Sequence, residues 1–171
     1  MSDYHGRFAP TPSGPLHFGS LVAALASFLD ARRAGGVWRL RIEDVDPPRC
    51  PAGAANTILR QLDAFGLHWD GPVTWQHDRH DAYAAALERL KALGLAYPCS
   101  CSRRQWRDHR IYPGWCRDGV CDPGKPVAWR LRSDLGLRPV VWQDRLFGEQ
   151  RFDPAELGDV VLRRKDNFWA Y

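Results

Sequence analysis

Residues 7–20 have the sequence Arg7-Phe8-Ala9-Pro10-Thr11-Pro12-Ser13-Gly14-Pro15-Leu16-His17-Phe18-Gly19-Ser20, and a long apolar helix pattern follows directly. A short strand runs into a loop rich in Pro and Gly, which places a His, a Gly and a Ser in the first helical turn. Such a terminus has free backbone N–H groups and a partial positive charge, which suit a phosphate. Gly19 allows close backbone approach, and His17 can donate to a phosphate oxygen.

The spacing of this loop excludes two common nucleotide motifs. It matches neither G-x-G-x-x-G nor G-x-x-x-x-G-K-[ST], so it favours neither a dinucleotide site nor a P-loop. A loop rich in Pro and Gly before a helix is most often a turn without further function. From spacing alone, a phosphate site and an ordinary turn both fit.

Strand and helix patterns alternate through the first half of the chain. Apolar periodicity and Gly or Pro breaks predict a strand at 4–8, a helix ending at Gly35-Gly36, a strand at 37–42, a helix at 52–65, an extended piece at 73–75 and a helix at 79–93. This order predicts an open parallel α/β sheet. Because ligands bind at the carboxyl ends of such strands, residues 9–20 and Glu43 fall on one rim.

Three strand–helix units make only the first half of a Rossmann-like parallel nucleotide-binding sheet. We therefore assign residues 1–96 to that half. From Tyr97 the composition changes, with many Cys, Arg, Pro and Gly residues and little helical periodicity up to about Lys125. Short strand-like runs follow at 127–132, 140–143 and 160–164. We expect residues 97–164 to form a small inserted α+β subdomain and residues 165–171 to return toward the sheet.

Clustered cysteines predict a metal site in the inserted region. Cys99-Ser100-Cys101 can place two thiolates on one ion, and Cys116 can close the site fifteen residues later. Zinc favours such sulfur-rich tetrahedral sites, and a region with little core gains stability from one. The fourth ligand stays open from chemistry alone, with Cys121 favoured and His109 next.

Bulk composition limits the class of protein. The chain has 171 residues, a net charge of +4 and five cysteines, enough to bury a core as one domain with a small insertion. No apolar run approaches bilayer-spanning length, and no basic-then-apolar secretory leader is visible. We therefore expect a soluble cytoplasmic protein that has no disulfide framework and no membrane partner.

Residues 7–20 resemble the HIGH-type motif region of class I aminoacyl-tRNA synthetases, with His17-Phe18-Gly19-Ser20 in the place of the motif. The segment from Arg7 to Gly14 is similar to the glutamate-specific branch of that class. Two further segments strengthen a resemblance that covers nearly the whole chain: Arg41-Ile42-Glu43-Asp44-Val45-Asp46-Pro47-Pro48-Arg49 and Gly66-Leu67-His68-Trp69-Asp70.

The resemblance implies a site for glutamate and ATP. Arg7 would form a bidentate fork for the substrate's side-chain carboxylate, and Glu43 would receive its ammonium. The implied glutamate contacts are Arg7, Phe8, Ala9, Pro10, Thr11, Glu43 and Tyr171. The implied ATP contacts are Pro12, Ser13, Gly14, His17, Phe18, Gly19 and Ser20, with His17, Gly19 and Ser20 as catalytic residues that stabilise charge on the phosphate. From the residues alone, Glu43 could instead pair with Arg41 or Arg39.

The resemblance also implies a ligand set for Zn²⁺. The residues that match the family's pattern are Cys99, Cys101, Tyr112 and Cys116. A tyrosine ligand has to lose a proton whose ordinary pKa is about 10, which a bound cation promotes. Cys121 stays the alternative.

The segment from Pro15 to Ser27 is closest to a branch that activates glutamate with ATP and Mg²⁺, without tRNA, and transfers it to queuosine in the anticodon of tRNA(Asp). We expect that activity in a monomer whose partners are glutamate, ATP and tRNA(Asp). Two alternatives stay open: the N-terminal part of an ordinary glutamyl-tRNA synthetase, and a non-catalytic zinc-bearing RNA-binding fragment. The family's second, lysine-containing ATP loop is not in these residues, so we expect the chain alone to be inactive.

Overall fold

A computed structural model describes residues 2–135 and 138–170. The chain divides into two compact units, 1–81 and 82–171. The finer division expected from the sequence, with an insertion at 97–164, stays a prediction. Across the described residues, no helix combines the length and the apolar character that crossing a bilayer requires.

The first unit is a small parallel α/β sheet. Its elements are β1 (His5–Phe8), α1 (Phe18–Arg33), β2 (Val37–Ile42), α2 (Ala54–Ala64) and β3 (Thr74–Trp75). The strand order is β1-β2-β3, and both strand pairs are parallel. The strand–helix alternation predicted from the sequence is confirmed, with element ends within about two residues.

The core of the first unit lies between the sheet and its helices. Trp38, Leu40 and Ile42 alternate along β2 and are fully buried, as their spacing predicts. The apolar pattern of α1 predicts the helix correctly. Its fully buried residues are Ala24 and Ala31, Leu21 and Phe28 are partly buried against the core, and Val22, Leu25 and Leu29 are about half exposed.

Small side chains let α1 lie close against the sheet. A Cβ placed on Gly6 of β1 would lie 3.1 Å from Ala31 Cβ and 3.2 Å from Trp38 Cδ1. Both contacts are tighter than most Cβ contacts in proteins, so this close approach favours a glycine on the strand and a small side chain on the helix. The packing holds the last turns of α1 against β1.

Asp70 ties the last turn of α1 to the start of β2. Its carboxylate accepts from Arg32 Nη1 at 2.6 Å and from the Trp38 N–H at 2.7 Å. The hydrogen bond from Arg32, followed by the one from Trp38, lowers the pKa of Asp70. The stretch 66–70 therefore has a structural role in holding helix and strand together.

The second unit combines a helix with antiparallel strands. Its elements are α3 (His80–Ala92), β4 (Ala96–Cys99), β5 (Ala128–Leu131), β6 (Val140–Asp144), β7 (Gly148–Phe152) and β8 (Val161–Arg163). β4, β5 and β8 form one antiparallel sheet, and β6 and β7 form a separate hairpin. The three predicted strand runs are confirmed. β7 was not predicted, because a strand with one apolar side chain among five residues owes its form to pairing with β6.

A buried carboxylate organises the second unit. Asp159 is 2% exposed and accepts from Arg117 Nε at 2.7 Å, from the Tyr97 hydroxyl at 2.5 Å and from the Ser133 N–H at 2.9 Å. Burial alone would raise the pKa of Asp159, but the hydrogen bonds from Arg117, Tyr97 and Ser133 outweigh it and lower that pKa. The folded unit thus depends on an ionised Asp159.

We expect Asp159→Asn to lower the free energy of unfolding at pH 7 by about 3–5 kcal/mol, since it removes the buried carboxylate that pairs with Arg117 at 2.7 Å and leaves the longer 3.6 Å pair with Asp134. A carboxylate whose folded pKa is depressed stabilises the fold above its unfolded pKa of about 4 and loses that contribution as pH falls. Denaturant unfolding at pH 7, 4 and 3 should therefore show a larger acid loss of stability in the parent chain than in Asp159→Asn. The control is Asp166→Asn, which removes an exposed pair with Arg164. Equal acid dependence in parent and Asp159→Asn would contradict this role.

Candidate functional site

The carboxyl ends of β1, β2 and β3 meet at one edge of the parallel sheet, and three loops leave from it. The loop after β1 is joined to the end of β2 by the Glu43 N–H, which donates to the Pro10 carbonyl at 3.0 Å. The Gln76 N–H donates to the Ile42 carbonyl at 3.0 Å and joins the segment after β3 to the same edge. Residues 9–17, 43–46 and 76–79 are thereby brought together, as expected for a ligand site in a parallel sheet.

The first turn of α1 is capped by a histidine. His17 is the N-cap residue, and its Nδ1 accepts from the Ser20 N–H at 3.2 Å. Because Nδ1 is an acceptor here, the proton of the neutral ring resides on Nε2, which lies 3.1 Å from Ser20 Oγ. Because His17 caps the Ser20 N–H, the N–H groups of Phe18 and Gly19 are the backbone donors that this exposed turn leaves for an anion. The imidazole Nε2–H, which also faces Ser20 Oγ, is a further donor.

Gly19 leaves room for the His17 ring. A Cβ at this position would lie 3.2 Å from His17 Cε1 and 3.3 Å from His17 Nδ1. The neighbouring Phe18 is 82% exposed, so it takes no part in the core of the first unit. A glycine at this position therefore avoids a close contact with the capping His17 ring.

Arg7 and Glu43 differ in how they are held. Arg7 is exposed on β1, and within the described residues its guanidinium has no hydrogen-bond or ion-pair partner. Glu43 is partly buried and forms an ion pair with Arg41 Nη2 at 2.5 Å, which is the pairing that the sequence left open. Arg7 is therefore available for an anion, while a cation at Glu43 has to share the carboxylate with Arg41.

The remaining predicted residues line the loop between β1 and α1. Phe8, Ala9 and Thr11 are partly buried, Pro10 and Pro12 are buried, and Ser13 is exposed. The Ser13 N–H donates to the Thr11 carbonyl at 2.9 Å, which gives the loop a turn before Gly14. Tyr171 lies outside the described residues, so its predicted glutamate contact stays a prediction.

Sequence reasoning missed two residues that shape this edge. Gln61 of α2 accepts the Leu16 N–H on its Oε1 at 2.7 Å and so holds the loop before α1. His77 follows β3 and pairs through Nδ1 with Asp44, whose carboxylate also accepts the His77 N–H at 3.1 Å. The hydrogen bond with Asp44 raises the pKa of His77. A partly buried Gln on an amphipathic helix and a lone His carry no spacing signal that would reveal these contacts.

The second unit brings three cysteines together. The Sγ atoms of Cys99, Cys101 and Cys116 lie within 4.8 Å of one another, and all three side chains are buried. A tetrahedral zinc site with Zn–S bonds of about 2.3 Å places its sulfurs about 3.8 Å apart. The 3.6 Å between Cys101 Sγ and Cys116 Sγ is close to that separation. The cluster therefore fits a zinc ion.

Two further donors adjoin the three cysteines. The Tyr112 hydroxyl lies 3.4 Å from Cys101 Sγ and accepts the Cys116 N–H at 3.0 Å. Cys121 Sγ lies 3.2 Å from Cys116 Sγ. His109, the other candidate, instead packs edge-on against the Trp115 ring, with 5.5 Å between their centroids. The arrangement thus leaves Tyr112 and Cys121 as candidates for a fourth ligand.

Burial and hydrogen bonds within the cluster give its thiols different pKa values. Burial raises the pKa of Cys101 to about 12. Burial also opposes ionisation of Cys116, but hydrogen bonds from the Cys121 N–H and the Tyr112 hydroxyl lower its pKa to about 5. Burial, together with the thiols that accept its proton, raises the pKa of Tyr112 above its usual value. The Tyr112 hydroxyl therefore keeps its proton and donates it to Cys101 Sγ.

Comparison with known proteins places these features in a family. The family model described as tRNA synthetases class I (E and Q), catalytic domain, matches residues 4–113. A glutamyl-Q tRNA(Asp) synthetase of Dechloromonas aromatica is 52% identical over 181 residues, covering 99% of this chain and 59% of that relative. A relative of the same name from Pseudomonas putida KT2440 is 53% identical over 173 residues, covering 99% and 56%. The chain thus spans little more than half the length of these curated relatives.

Solved structures of glutamate-tRNA ligases share the fold of this chain. The crystal structure of a glutamate tRNA ligase from Elizabethkingia meningosepticum, in complex with its amino acid, superposes with a TM-score of 0.76 at 26% identity. The match covers 99% of this chain and 40% of that chain. A glutamate-tRNA synthetase from Elizabethkingia anophelis gives the same TM-score and identity.

We expect Gly19→Ala to weaken binding of an anion at the start of α1, because the added methyl would displace the His17 ring. Alanine is about 1 kcal/mol better than glycine inside a helix, which offsets the roughly 1 kcal/mol lost when the His17 cap is displaced, so stability should change little. Titration with inorganic pyrophosphate measures the first effect and thermal unfolding the second. Ala23→Ser, at an exposed position of the same helix, is the control. Unchanged pyrophosphate affinity in Gly19→Ala would contradict the role given to His17.

Proposed function

The chain belongs to the class I tRNA synthetases of the glutamyl and glutaminyl type, and we propose that it is part of an enzyme that glutamylates queuosine in tRNA(Asp). The enzyme would first activate glutamate with ATP, in a step that does not need tRNA. It would then transfer the glutamyl group to queuosine in the anticodon. Relatives named glutamyl-Q tRNA(Asp) synthetase support this proposal, at 52–53% identity over nearly the whole chain.

The observation that carries the proposal is the hydrogen bond between the Glu43 N–H and the Pro10 carbonyl. It joins the loop that ends at the capped start of α1 to a carboxylate at the end of β2. A phosphate-binding helix start and an ammonium-binding carboxylate on one edge are what amino acid activation requires. The site thereby suits a pair of substrates, a nucleoside triphosphate and an amino acid.

ATP would bind with its phosphates at the start of α1. Backbone N–H groups and the His17 Nε2–H would face the phosphate oxygens, with the helix dipole favouring their charge. An oxygen of the α-carboxylate of glutamate would attack the α-phosphorus of ATP. The bond between that phosphorus and the pyrophosphate leaving group would break, which leaves glutamyl-adenylate. The donors at His17 and Ser20 would stabilise the charge that develops on the phosphate. ATP would bind as a substrate together with Mg²⁺.

Glutamate would be recognised by its two ends. The unpartnered guanidinium of Arg7 can form a bidentate pair with the side-chain carboxylate. Glu43, already partly buried, would receive the ammonium in competition with Arg41. Residues 8–11 would contact the same substrate, and Pro12, Ser13, Gly14 and Phe18 would contact ATP.

We further propose that Cys99, Cys101, Cys116 and Tyr112 hold Zn²⁺. The close spacing of the sulfurs and the donor set support a closed, structural site. The ion would stabilise a loop segment, 100–127, that contains no helix or strand. Residues 97–164 would then form a zinc-binding subdomain in a monomeric, cytoplasmic enzyme.

Charging assays on the full-length gene product test the proposed function. We expect glutamylation of queuosine-containing tRNA(Asp) but not of tRNA(Asp) that lacks queuosine. Glutamate-dependent ATP–pyrophosphate exchange should proceed without tRNA. The 171-residue chain alone should give little or no exchange, because the family's lysine-containing ATP loop is not in it. Glutamylation of tRNA(Glu) at its 3′ end would instead favour an ordinary glutamyl-tRNA synthetase, and absence of exchange in the full-length protein would favour a non-catalytic RNA-binding role.

Arg7→Ala should raise the KM for glutamate in that exchange reaction by roughly 10- to 100-fold, because hydrogen bonds to a charged group contribute about 1.5–3 kcal/mol. Arg7→Lys should recover part of the loss, since it restores the charge but not the fork. Arg33→Ala, at an exposed position in the last turn of α1, is the matched control. An unchanged KM in Arg7→Ala would show that glutamate binds elsewhere.

A further inference from the structure

Cys121 stands beside the buried thiol cluster without belonging to it. Its side chain is exposed, whereas Cys99, Cys101 and Cys116 are buried. Its Sγ nevertheless lies 3.2 Å from Cys116 Sγ and 3.9 Å from Cys101 Sγ. The second distance matches the sulfur separation of about 3.8 Å in a tetrahedral zinc site.

The backbone holds Cys121 in this position. The Cys121 N–H donates to Cys116 Sγ at 3.4 Å, and the next residue, Asp122, donates its N–H to Ser100 Oγ at 2.9 Å. Ser100 is the buried residue between the two cysteines of the C-x-C pair. The turn that carries Cys121 is therefore fastened to the same segment that supplies Cys99 and Cys101.

Tyr112 and Cys121 both contact Cys101 and Cys116. The Tyr112 hydroxyl lies 3.4 Å from Cys101 Sγ and binds the Cys116 N–H, while Cys121 reaches both sulfurs. Three buried thiols and either of these donors make a four-coordinate site. Zinc and cobalt bind thiolate at least as readily as phenolate, because both ions accept sulfur-rich tetrahedral ligand sets.

We propose that Cys121 is a replacement ligand, which completes the metal site with a thiolate whenever one of the other four donors is missing. This proposal rests on the zinc site proposed above. It gives the site five donors for four positions. Loss of Tyr112 would then convert a three-thiolate site into a four-thiolate site rather than destroy it.

Cobalt substitution tests the proposal in the intact chain. Parent, Tyr112→Phe, Cys121→Ser and the double variant are loaded anaerobically with Co²⁺, with Cys50→Ser as the control for a thiol outside the cluster. The near-ultraviolet sulfur-to-cobalt band reports the number of bound thiolates. We expect it to be about one third stronger in Tyr112→Phe than in the parent or Cys121→Ser, as four thiolates replace three.

Metal affinity supplies the second readout. Competition with a chromophoric chelator should leave Tyr112→Phe and Cys121→Ser close to the parent, whereas the double variant should bind Zn²⁺ at least 10- to 100-fold more weakly. If Tyr112→Phe has the weak affinity of the double variant, Cys121 is not a replacement ligand. If the parent itself binds no stoichiometric metal, the zinc site and the replacement ligand both fail, which separates the two outcomes.

A second pair of variants keeps the test open if Tyr112→Phe does not fold. Cys99→Ser leaves Tyr112 in place and removes a buried thiol instead. We expect Cys99→Ser to retain one metal ion through Cys121 and to protect Cys121 from alkylation, as read by mass spectrometry. Cys99→Ser combined with Cys121→Ser should lose the ion. Equal metal content in these two variants, with Cys121 alkylated in the first, would overturn the proposal.

Discussion

The close approach of α1 to the parallel sheet is the constraint on which the candidate site depends. Gly6 on β1 lets Ala31 in the last turns of α1 pack closely against the strand, since a Cβ on Gly6 would lie 3.1 Å from Ala31 Cβ. The Arg32–Asp70 pair holds the same end of the helix against β2. Just before the first turn, the Leu16 N–H donates to Gln61 Oε1 at 2.7 Å. The first turn of α1 therefore opens at the edge where the strands end.

The position of the first turn of α1 determines which charged groups lie at the edge of the sheet. The first turn carries uncompensated N–H groups and a capping His17, which attract negative charge. Arg7 adds a cation that has no ion-pair partner among the described residues, and Glu43 adds a carboxylate that pairs with Arg41. The edge therefore carries N–H donors, a guanidinium and a carboxylate at separate places. Membership of the glutamyl and glutaminyl synthetases agrees with that distribution of charge.

The sequence predicted the parallel α/β order because apolar periodicity decides it locally. Trp38, Leu40 and Ile42 alternate along a strand, and Gly35-Gly36 ends a helix. The full burial of Ala31 on α1 was not predictable in the same way, because it depends on the close approach that Gly6 on β1 admits. Gln61 and His77 act through contacts with residues more than thirty positions away, which no spacing reveals. The C-x-C pair and Cys116 predicted the thiol cluster, but Tyr112 and Cys121 could be compared only once their distances to the sulfurs were known.

A crystal structure of this chain with a non-hydrolysable glutamyl-adenylate analogue tests the central claim most directly. The account predicts that the analogue's phosphate lies against the first turn of α1, beside His17, and that its side-chain carboxylate meets the Arg7 guanidinium. An analogue bound elsewhere on the chain, with Arg7 and His17 turned away from it, would contradict the account.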